Sequence, residues 1–324
     1  MIVAVILTVL LIFSSSAVSG QILDVRELHP AQIAALDRSR TVVLLTGGIL
    51  EEHGPFLPSY SDGYQTEFVA SRLAEAIVAR PGWIVLRLPP VPLGTMPASE
   101  IGDRLSFPGS YGVRSSTLRA VFMDLVTDLG DAGFRWGFIV NLHGAPTHNR
   151  ALDDAARYFV DTFGGRMVHL TGLASVAGAV PRDIFSPSQR GAEGFSVHAD
   201  ADEHSRLMFL RPDLVRPDVT TAPAVVGHNF ADLVAIAKKD DWPGYWGTPA
   251  IATASAGARA MNAIAQAAID VALKMLDGAP DGALPRVANL MAGDPDVAAL
   301  VAASLERERR SGQRQEDWLA RTRR

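Results

Sequence analysis

Short apolar segments alternate with segments of helical periodicity along most of this 324-residue chain. The apolar runs end at glycines, prolines or polar residues, as buried strands do, and lie at Thr41–Thr46, 83–88, 137–142 and 166–171. Helical segments follow the first three runs, at 62–79, 114–129 and 149–162. Because parallel strands need crossover helices between them, this alternation predicts a mostly parallel sheet with helices on both faces.

Three further stretches set the predicted domain organisation. Residues 172–197 are rich in Gly, Ser and Pro and lack a clear period, which is typical of a lid or binding loop. The Ala-rich segment 255–276 predicts the last helix of a main domain over residues 21–278. Residues 279–324 then form a C-terminal extension with an Arg-rich tail, which we expect to be a surface helix or a frayed end.

The N-terminus predicts export. Residues 1–13 are apolar and uncharged, and small residues follow them, as in a secretory signal peptide over residues 1–20 with cleavage between Ala17 and Gln21. No Lys or Arg precedes the apolar run, so an uncleaved membrane anchor is the alternative. We therefore expect a periplasmic or secreted protein with no stable membrane span after cleavage.

Charge and cysteine content exclude several classes of function. A net charge of −5 provides no basic surface for nucleic acid, so we expect no nucleic-acid partner. The chain has no cysteine, which excludes disulfide frameworks, iron–sulfur clusters and thiol nucleophiles. Any metal ion must therefore be bound by His, Asp and Glu.

Histidine and carboxylate side chains cluster in three places near the ends of predicted strands. Glu51 and His53 point to the same side of an extended segment, and the other clusters contain His143 and residues 198–204. Considered alone, His143 could be a core histidine. Likewise, Asp200 and Asp202 in the third cluster could cap a helix. Together these donors favour a shared Zn²⁺, Mn²⁺ or Fe²⁺ centre.

Four segments in order resemble motifs of one enzyme family. ILEEHGPFLPSYSD (49–62), NLHG (141–144), HADADEHS (198–205) and GYWGTPAIATASAG (244–257) resemble those of the creatininase (creatinine amidohydrolase) family. The resemblance implies a three-layer α/β/α sandwich, a homo-oligomer, and hydrolysis of a carbon–nitrogen bond in a small amide, lactam or short peptide.

The resemblance also implies roles for individual residues. Five residues fall on positions of the family's metal site, namely Glu51, His53, Asp62, His143 and Glu203. Asp62 would bridge two divalent ions, while His198 and Glu203 fall on catalytic positions. The proton relay that such groups provide accelerates hydrolysis by about 10²–10⁴-fold.

The second motif departs from the family pattern. Creatininases have Tyr and a ligand Glu after the motif's His, whereas this chain has Gly144 and Ala145. His148 could replace the missing ligand or cap the following helix. We therefore expect a substrate other than creatinine, and the alternative is a non-catalytic exported protein that binds a metal or ligand.

Overall fold

A computed structural model describes residues 20–104, 106–280 and 284–322. The predicted signal peptide, apart from Gly20, lies outside these residues, so the structure does not test it. Within the described ranges, no helix combines the length and apolar character needed to cross a membrane.

The centre of the fold is a parallel five-stranded sheet with the order β1-β3-β2-β4-β5. Its strands are β1 (Gln21–Asp24), β2 (Thr41–Thr46), β3 (Ile84–Arg87), β4 (Trp136–Val140) and β5 (Arg166–His169). The last four match the predicted apolar runs to within two residues. The sequence did not predict β1, which has four residues and buries none of its side chains fully. Among the described strands, β1 pairs only with β3.

Eleven α-helices lie within the described part of the chain. They are α1 (Pro30–Ala34), α2 (Ser61–Val78), α3 (Ser115–Asp131), α4 (Pro146–Phe163), α5 (Ala174–Ala177), α6 (Pro187–Glu193), α7 (Ala201–Leu210), α8 (Phe230–Ala237), α9 (Ala254–Leu276), α10 (Val287–Met291) and α11 (Pro295–Thr322). The predicted loop 172–197 contains the short helices α5 and α6. Helix α4 begins three residues before its prediction because Pro146 occupies the first helical turn, where proline is favourable.

Helices cover both faces of the sheet, which confirms the predicted three-layer α/β/α sandwich. Along β2, Val42 and Leu44 face α2 and α9, whereas Val43 and Leu45 face α3 and α4. This division follows from the alternation of side chains along a strand. Both faces of β2 are therefore buried, as is usual for a central strand of a parallel sheet.

Helix α7 is held against α9 by an unusually close backbone contact. A Cβ atom at Gly257 in α9 would lie 1.8 Å from the carbonyl oxygen of Ser205 in α7, so only glycine permits this approach. The Ser205 hydroxyl also accepts a hydrogen bond from the Thr253 backbone N–H at 3.0 Å. These contacts fix α7, which carries Glu203.

The C-terminal helix α11 is anchored to the body of the fold by buried or half-buried polar contacts. Arg307 pairs with Glu100 at 2.7 Å and with Asp103 at 3.1 Å. Glu308 accepts hydrogen bonds from the Thr95 hydroxyl at 3.0 Å and from Ser115, whose backbone N–H lies at 2.8 Å. The extension is thus helical from Pro295 through Thr322 and anchored along its middle, with residues 313–322 exposed as in a surface helix.

We predict that Arg307→Met releases α11 while leaving the sheet folded. The Arg307 side chain is 11% exposed, and removal of one partner from a buried ion pair typically costs about 3–5 kcal/mol. Hydrogen exchange should therefore become much faster in α11 and stay unchanged in β2 and β4. The control is Arg309→Met, because Arg309 forms an exposed pair with Glu306 that is worth at most about 1 kcal/mol. Equal exchange in both variants would contradict this anchoring.

Candidate metal centre

The structure brings all six predicted site residues together at the carboxyl ends of β2 and β4. Glu51 and His53 lie in the segment after β2, and Asp62 lies in the first turn of α2. His143 follows β4. Parallel strands present their carboxyl ends at one edge of the sheet, where α/β folds place their ligands.

The other two residues reach the same place from α7 and from the segment just before it. The Nδ1 atom of His198 lies 3.6 Å from Oε1 of Glu51 and 3.9 Å from Oε2 of Glu203. Glu203 belongs to the first turn of α7, and Asp62 to the first turn of α2, where the helix dipole favours a carboxylate. Two helix N-termini therefore stabilise negative charge in this cluster.

Two groups of possible metal ligands share Asp62. In one group, Nδ1 of His143 lies 3.2 Å from Oε1 of Glu51 and 3.1 Å from Oδ2 of Asp62. In the other, Nε2 of His53 lies 3.7 Å from Oδ1 of Asp62 and 3.8 Å from Oε2 of Glu203. All ligand atoms within each group are less than 4.8 Å apart. The two oxygens of Asp62 thus face different groups, as a carboxylate between two ions would.

Hydrogen bonds to backbone carbonyls orient the three imidazoles. The partner of His143 Nε2 is the Thr95 carbonyl at 3.0 Å, and the partner of His53 Nδ1 is the Glu51 carbonyl at 3.2 Å. His198 Nε2 lies 2.5 Å from the Glu52 carbonyl. A carbonyl can only accept, so each of these nitrogens donates and the opposite nitrogen faces the cluster. Metal-binding histidines are usually oriented in this way.

An unpartnered imidazole nitrogen is a second observation that supports a metal site at these residues. His53 Nε2 is buried and has no hydrogen-bond partner among the described residues, although two carboxylates lie within 4 Å of it. Buried polar atoms are rarely left without a partner, and a cation between these groups would satisfy all three. A third possible ligand group combines Glu51, His53 and His198.

Burial and charge act in opposite directions on the pKa values of these groups. Burial alone would raise the pKa of the Asp62 carboxyl, but the hydrogen bond to His143 and the nearby charge of His53 hold it well below its usual range. Burial alone would lower the pKa of His53, but Asp62 and the charge of Glu203 raise it to about 10. In the metal-free site, His53 and His143 therefore carry positive charge that balances buried carboxylates.

Glu52, which lies between the predicted ligands Glu51 and His53, points away from the centre, because side chains alternate along an extended segment. The carboxylate of Glu52 accepts a hydrogen bond from the Ser110 hydroxyl and belongs to none of the three ligand groups. Its burial raises its pKa. Glu51 and His53 therefore lie on the same side of the segment, as predicted.

His148 does not cap the helix that follows the second motif. It lies inside α4, whereas the residue before that helix is Ala145. Its ring centroid is 4.9 Å from that of His143, and it belongs to none of the three ligand groups. Burial lowers the pKa of His148 well below its usual value, so the ring is neutral.

Asp200 caps α7 and accepts a hydrogen bond from the Glu203 backbone N–H at 3.0 Å. The residue before it, Ala199, adopts φ 48°, a left-handed conformation that costs about 1–3 kcal/mol in a residue other than glycine. This turn directs the Ala199 N–H to Oε2 of Glu203 at 2.6 Å. The strained turn therefore helps to position a predicted ligand.

The sequence did not identify the segment that supports the ligands from the other side. The carbonyl of Thr95 accepts from His143, and the backbone N–H of Ala98 donates to Oε2 of Glu51 at 2.9 Å. Met96, between them, has φ 60°. Backbone donors and acceptors have no side-chain signature, so only the Gly- and Pro-rich composition of this segment could have indicated a turn near the site.

A sequence profile described as creatininase, creatinine amidohydrolase, matches residues 26–272. This span is more than half of the chain. The chain belongs to the creatininase family. The family comprises metal-dependent amidohydrolases, which agrees with the ligand groups described above. A comparison with curated protein sequences found no match.

Solved structures show the same fold. A Bacteroides fragilis protein described as a creatinine amidohydrolase is 22% identical, with a TM-score of 0.57 over 80% of this chain and 98% of that chain. A creatininase is 21% identical, with a TM-score of 0.56 over 79% of this chain and 99% of that chain. A manganese creatininase is 20% identical, with a TM-score of 0.55 over 78% and 98%. These likenesses establish the creatininase fold. The match to the family profile ends at residue 272, before the C-terminal extension.

We predict that Asp200→Asn stabilises the metal-free protein increasingly as pH rises. Burial and the charges of Asp202 and Glu203 raise the pKa of Asp200 to about 8, whereas its unfolded value is near 4. Unfolding therefore releases a proton between about pH 4 and 8, and the wild type loses stability across that window. Asparagine caps a helix equally well without titrating.

The measurement is urea unfolding of chelator-treated protein from pH 5 to pH 8. Asp200→Asn should increase the free energy of unfolding by more than about 1 kcal/mol at pH 8, and by less as the pH falls toward 5. Asp240→Asn, at an exposed position, is the surface control. A gain that is constant with pH would show that Asp200 is already ionised in the folded protein.

Proposed function

We propose that this protein is a metal-dependent amidohydrolase that cleaves a carbon–nitrogen bond at a binuclear site. The observation that carries the proposal is the position of Asp62, whose two oxygens face two different ligand groups. Glu51 and His143 would hold one ion, and His53 and Glu203 the other. Divalent ions at such a site supply Lewis-acid activation of water and of a carbonyl group.

Glu203 supplies a carboxylate to the second ligand group. Creatininases have a ligand Glu at the position of Ala145, and this chain lacks it. The Oε2 atom of Glu203 lies 3.8 Å from His53 Nε2 and completes a group with Asp62. The second site thus retains one imidazole and two carboxylates, a donor set that suits Zn²⁺, Mn²⁺ or Fe²⁺.

His198 is placed to move a proton during hydrolysis. Its Nε2–H donates to the Glu52 carbonyl, so Nδ1 faces Glu51 and Glu203 at less than 4 Å. An imidazole held in this orientation can accept a proton from an attacking water and deliver it to the leaving nitrogen. Both His198 and Glu203 line the cavity above the ligands, where a substrate amide can reach them.

The substrate class we propose is a small amide, lactam or short peptide other than creatinine. We also propose export to the periplasm or outside the cell, based on the N-terminal sequence, and a homo-oligomer, based on family membership. The catalytic domain would comprise residues 21–278, after removal of residues 1–20. The absence at Ala145 of the carboxylate that creatininases carry favours the alternative, a non-catalytic exported protein that binds a metal or ligand.

Metal content tests the binuclear site directly. We expect two ions per chain in protein that is purified without chelator and reconstituted with Zn²⁺ or Mn²⁺. Asp62→Ala removes the carboxylate common to both groups and should reduce the content to one ion or fewer. Elemental analysis is the measurement, with Asp213→Ala as a surface control that leaves two ions. One ion in the wild type would contradict the binuclear site, and none would contradict metal binding altogether.

Hydrolysis separates the enzyme from the binding protein. We expect metal-loaded protein to hydrolyse at least one member of a panel of N-formyl amino acids, N-acyl amino acid amides, hydantoins and dipeptides. His198→Ala should lower kcat by about 10²–10⁴-fold at unchanged metal content. His228→Ala, at an exposed histidine, should have no effect. Two bound ions without turnover of any member would favour the non-catalytic alternative.

A further inference from the structure

The cavity above the metal centre has a wall that the family domain does not supply. Its volume is about 490 Å³, which is in the range of small-molecule sites. Glu51, Asp62 and His143 line one side. Residues from α10 and α11 line the other, and they are Leu290, Met291, Val297 and Leu300. These four positions lie beyond residue 272, where the match to the family profile ends.

This wall is continuous with exposed apolar side chains at the mouth of the cavity. Phe195, Val197 and Leu290 are 40%, 48% and 63% exposed, and all three line this cavity. Large apolar side chains that converge on a concave site are the usual feature of a pocket for an apolar ligand group. Asp294, the acid on this wall, uses one oxygen to accept from the Asp296 backbone N–H at 2.9 Å, as a cap of α11.

The same segment that positions the metal ligands also anchors the wall. Thr95 accepts from His143 through its carbonyl and donates to Glu308 of α11 through its hydroxyl. Three residues further on, Ala98 donates to Glu51, and the nearby Glu100 pairs with Arg307. The apolar wall is therefore held at a defined position relative to the metal centre.

We propose that the C-terminal extension is the specificity wall of the active site, and that the substrate amide carries an apolar group seated on Val297 and Leu300. This inference rests on the proposed function. The apolar group occupies the space between the ligands and α11, while the amide lies at the metal centre. A polar, compact substrate would leave this wall in contact with water and gain nothing from it.

Linear alkyl hydroxamates from two to six carbons test this proposal by calorimetry on the metal-loaded, full-length protein. The hydroxamate group binds the metal centre, and the alkyl chain reports on the wall. Each buried methylene should raise the affinity about three- to fourfold, so hexanohydroxamate should bind about a hundredfold more tightly than acetohydroxamate. Leu300→Ala should reduce this ratio about tenfold or more without changing the affinity for acetohydroxamate.

The matched control is Leu319→Ala, which shortens a leucine on the same helix away from the cavity and should leave the ratio unchanged. Val297→Trp is the second variant. It fills the cavity, so it should weaken hexanohydroxamate binding and spare acetohydroxamate. A wild-type ratio near one, or the same ratio in wild type and in both cavity variants, would overturn the proposal.

Different results would contradict the proposed metal centre and the proposed specificity wall. If acetohydroxamate does not bind the metal-loaded protein, the proposed metal centre fails. The apolar dye 1-anilinonaphthalene-8-sulfonate, which lacks a hydroxamate, then decides the role of the wall. Dye binding that Val297→Trp weakens at least tenfold and Leu319→Ala leaves unchanged supports an apolar pocket. Absence of dye binding, or binding equal in all variants, overturns it.

Discussion

The site depends on the compensation of buried negative charge. Glu51 and Asp62 are almost fully buried, and Glu203 is largely so, within one cluster. An isolated carboxylate in such a place would be too costly to keep ionised. His53 and His143 compensate Asp62 through their proximity, and their raised pKa values express the same interaction from the imidazole side. In the metal-free protein, the imidazoles of His53 and His143 thus offset part of the buried negative charge.

The fold accounts for how these charges can meet. Central strands of a parallel sheet end at a common edge, so segments after β2 and β4 approach one another although they are about ninety residues apart in sequence. Helices α2 and α7 then direct their N-termini at the cluster and lower the cost of its carboxylates. The close contact between Gly257 and Ser205 holds α7 in the place where Glu203 can reach His53.

Much of this arrangement could be predicted from the sequence, and the remainder could not for physical reasons. Helices cover both faces of the sheet, so strands β2 to β5 are mostly apolar along their length. Such apolar runs are easy to identify in the sequence. Strand β1 lies at the edge with half-exposed side chains and lacks such a pattern. The convergence of the six site residues followed from motif order. The supporting roles of Thr95 and Ala98 did not, because a backbone carbonyl and N–H are common to all sequences.

The contribution of the C-terminal helix is the least predictable part and follows from an interaction across the whole chain. The Arg307–Glu100 pair joins residues 207 positions apart, and an amphipathic helix pattern does not specify which surface the helix covers. With Arg307 and Glu308 engaged with the segment 95–103, the apolar residues Leu300 and Val297, about two and three turns earlier in α11, line the cavity at the metal centre. A family domain that ends near residue 272 would leave this side of the cavity open. The extension therefore covers this edge of the sheet with an apolar surface, and its anchor is the same segment that orients His143.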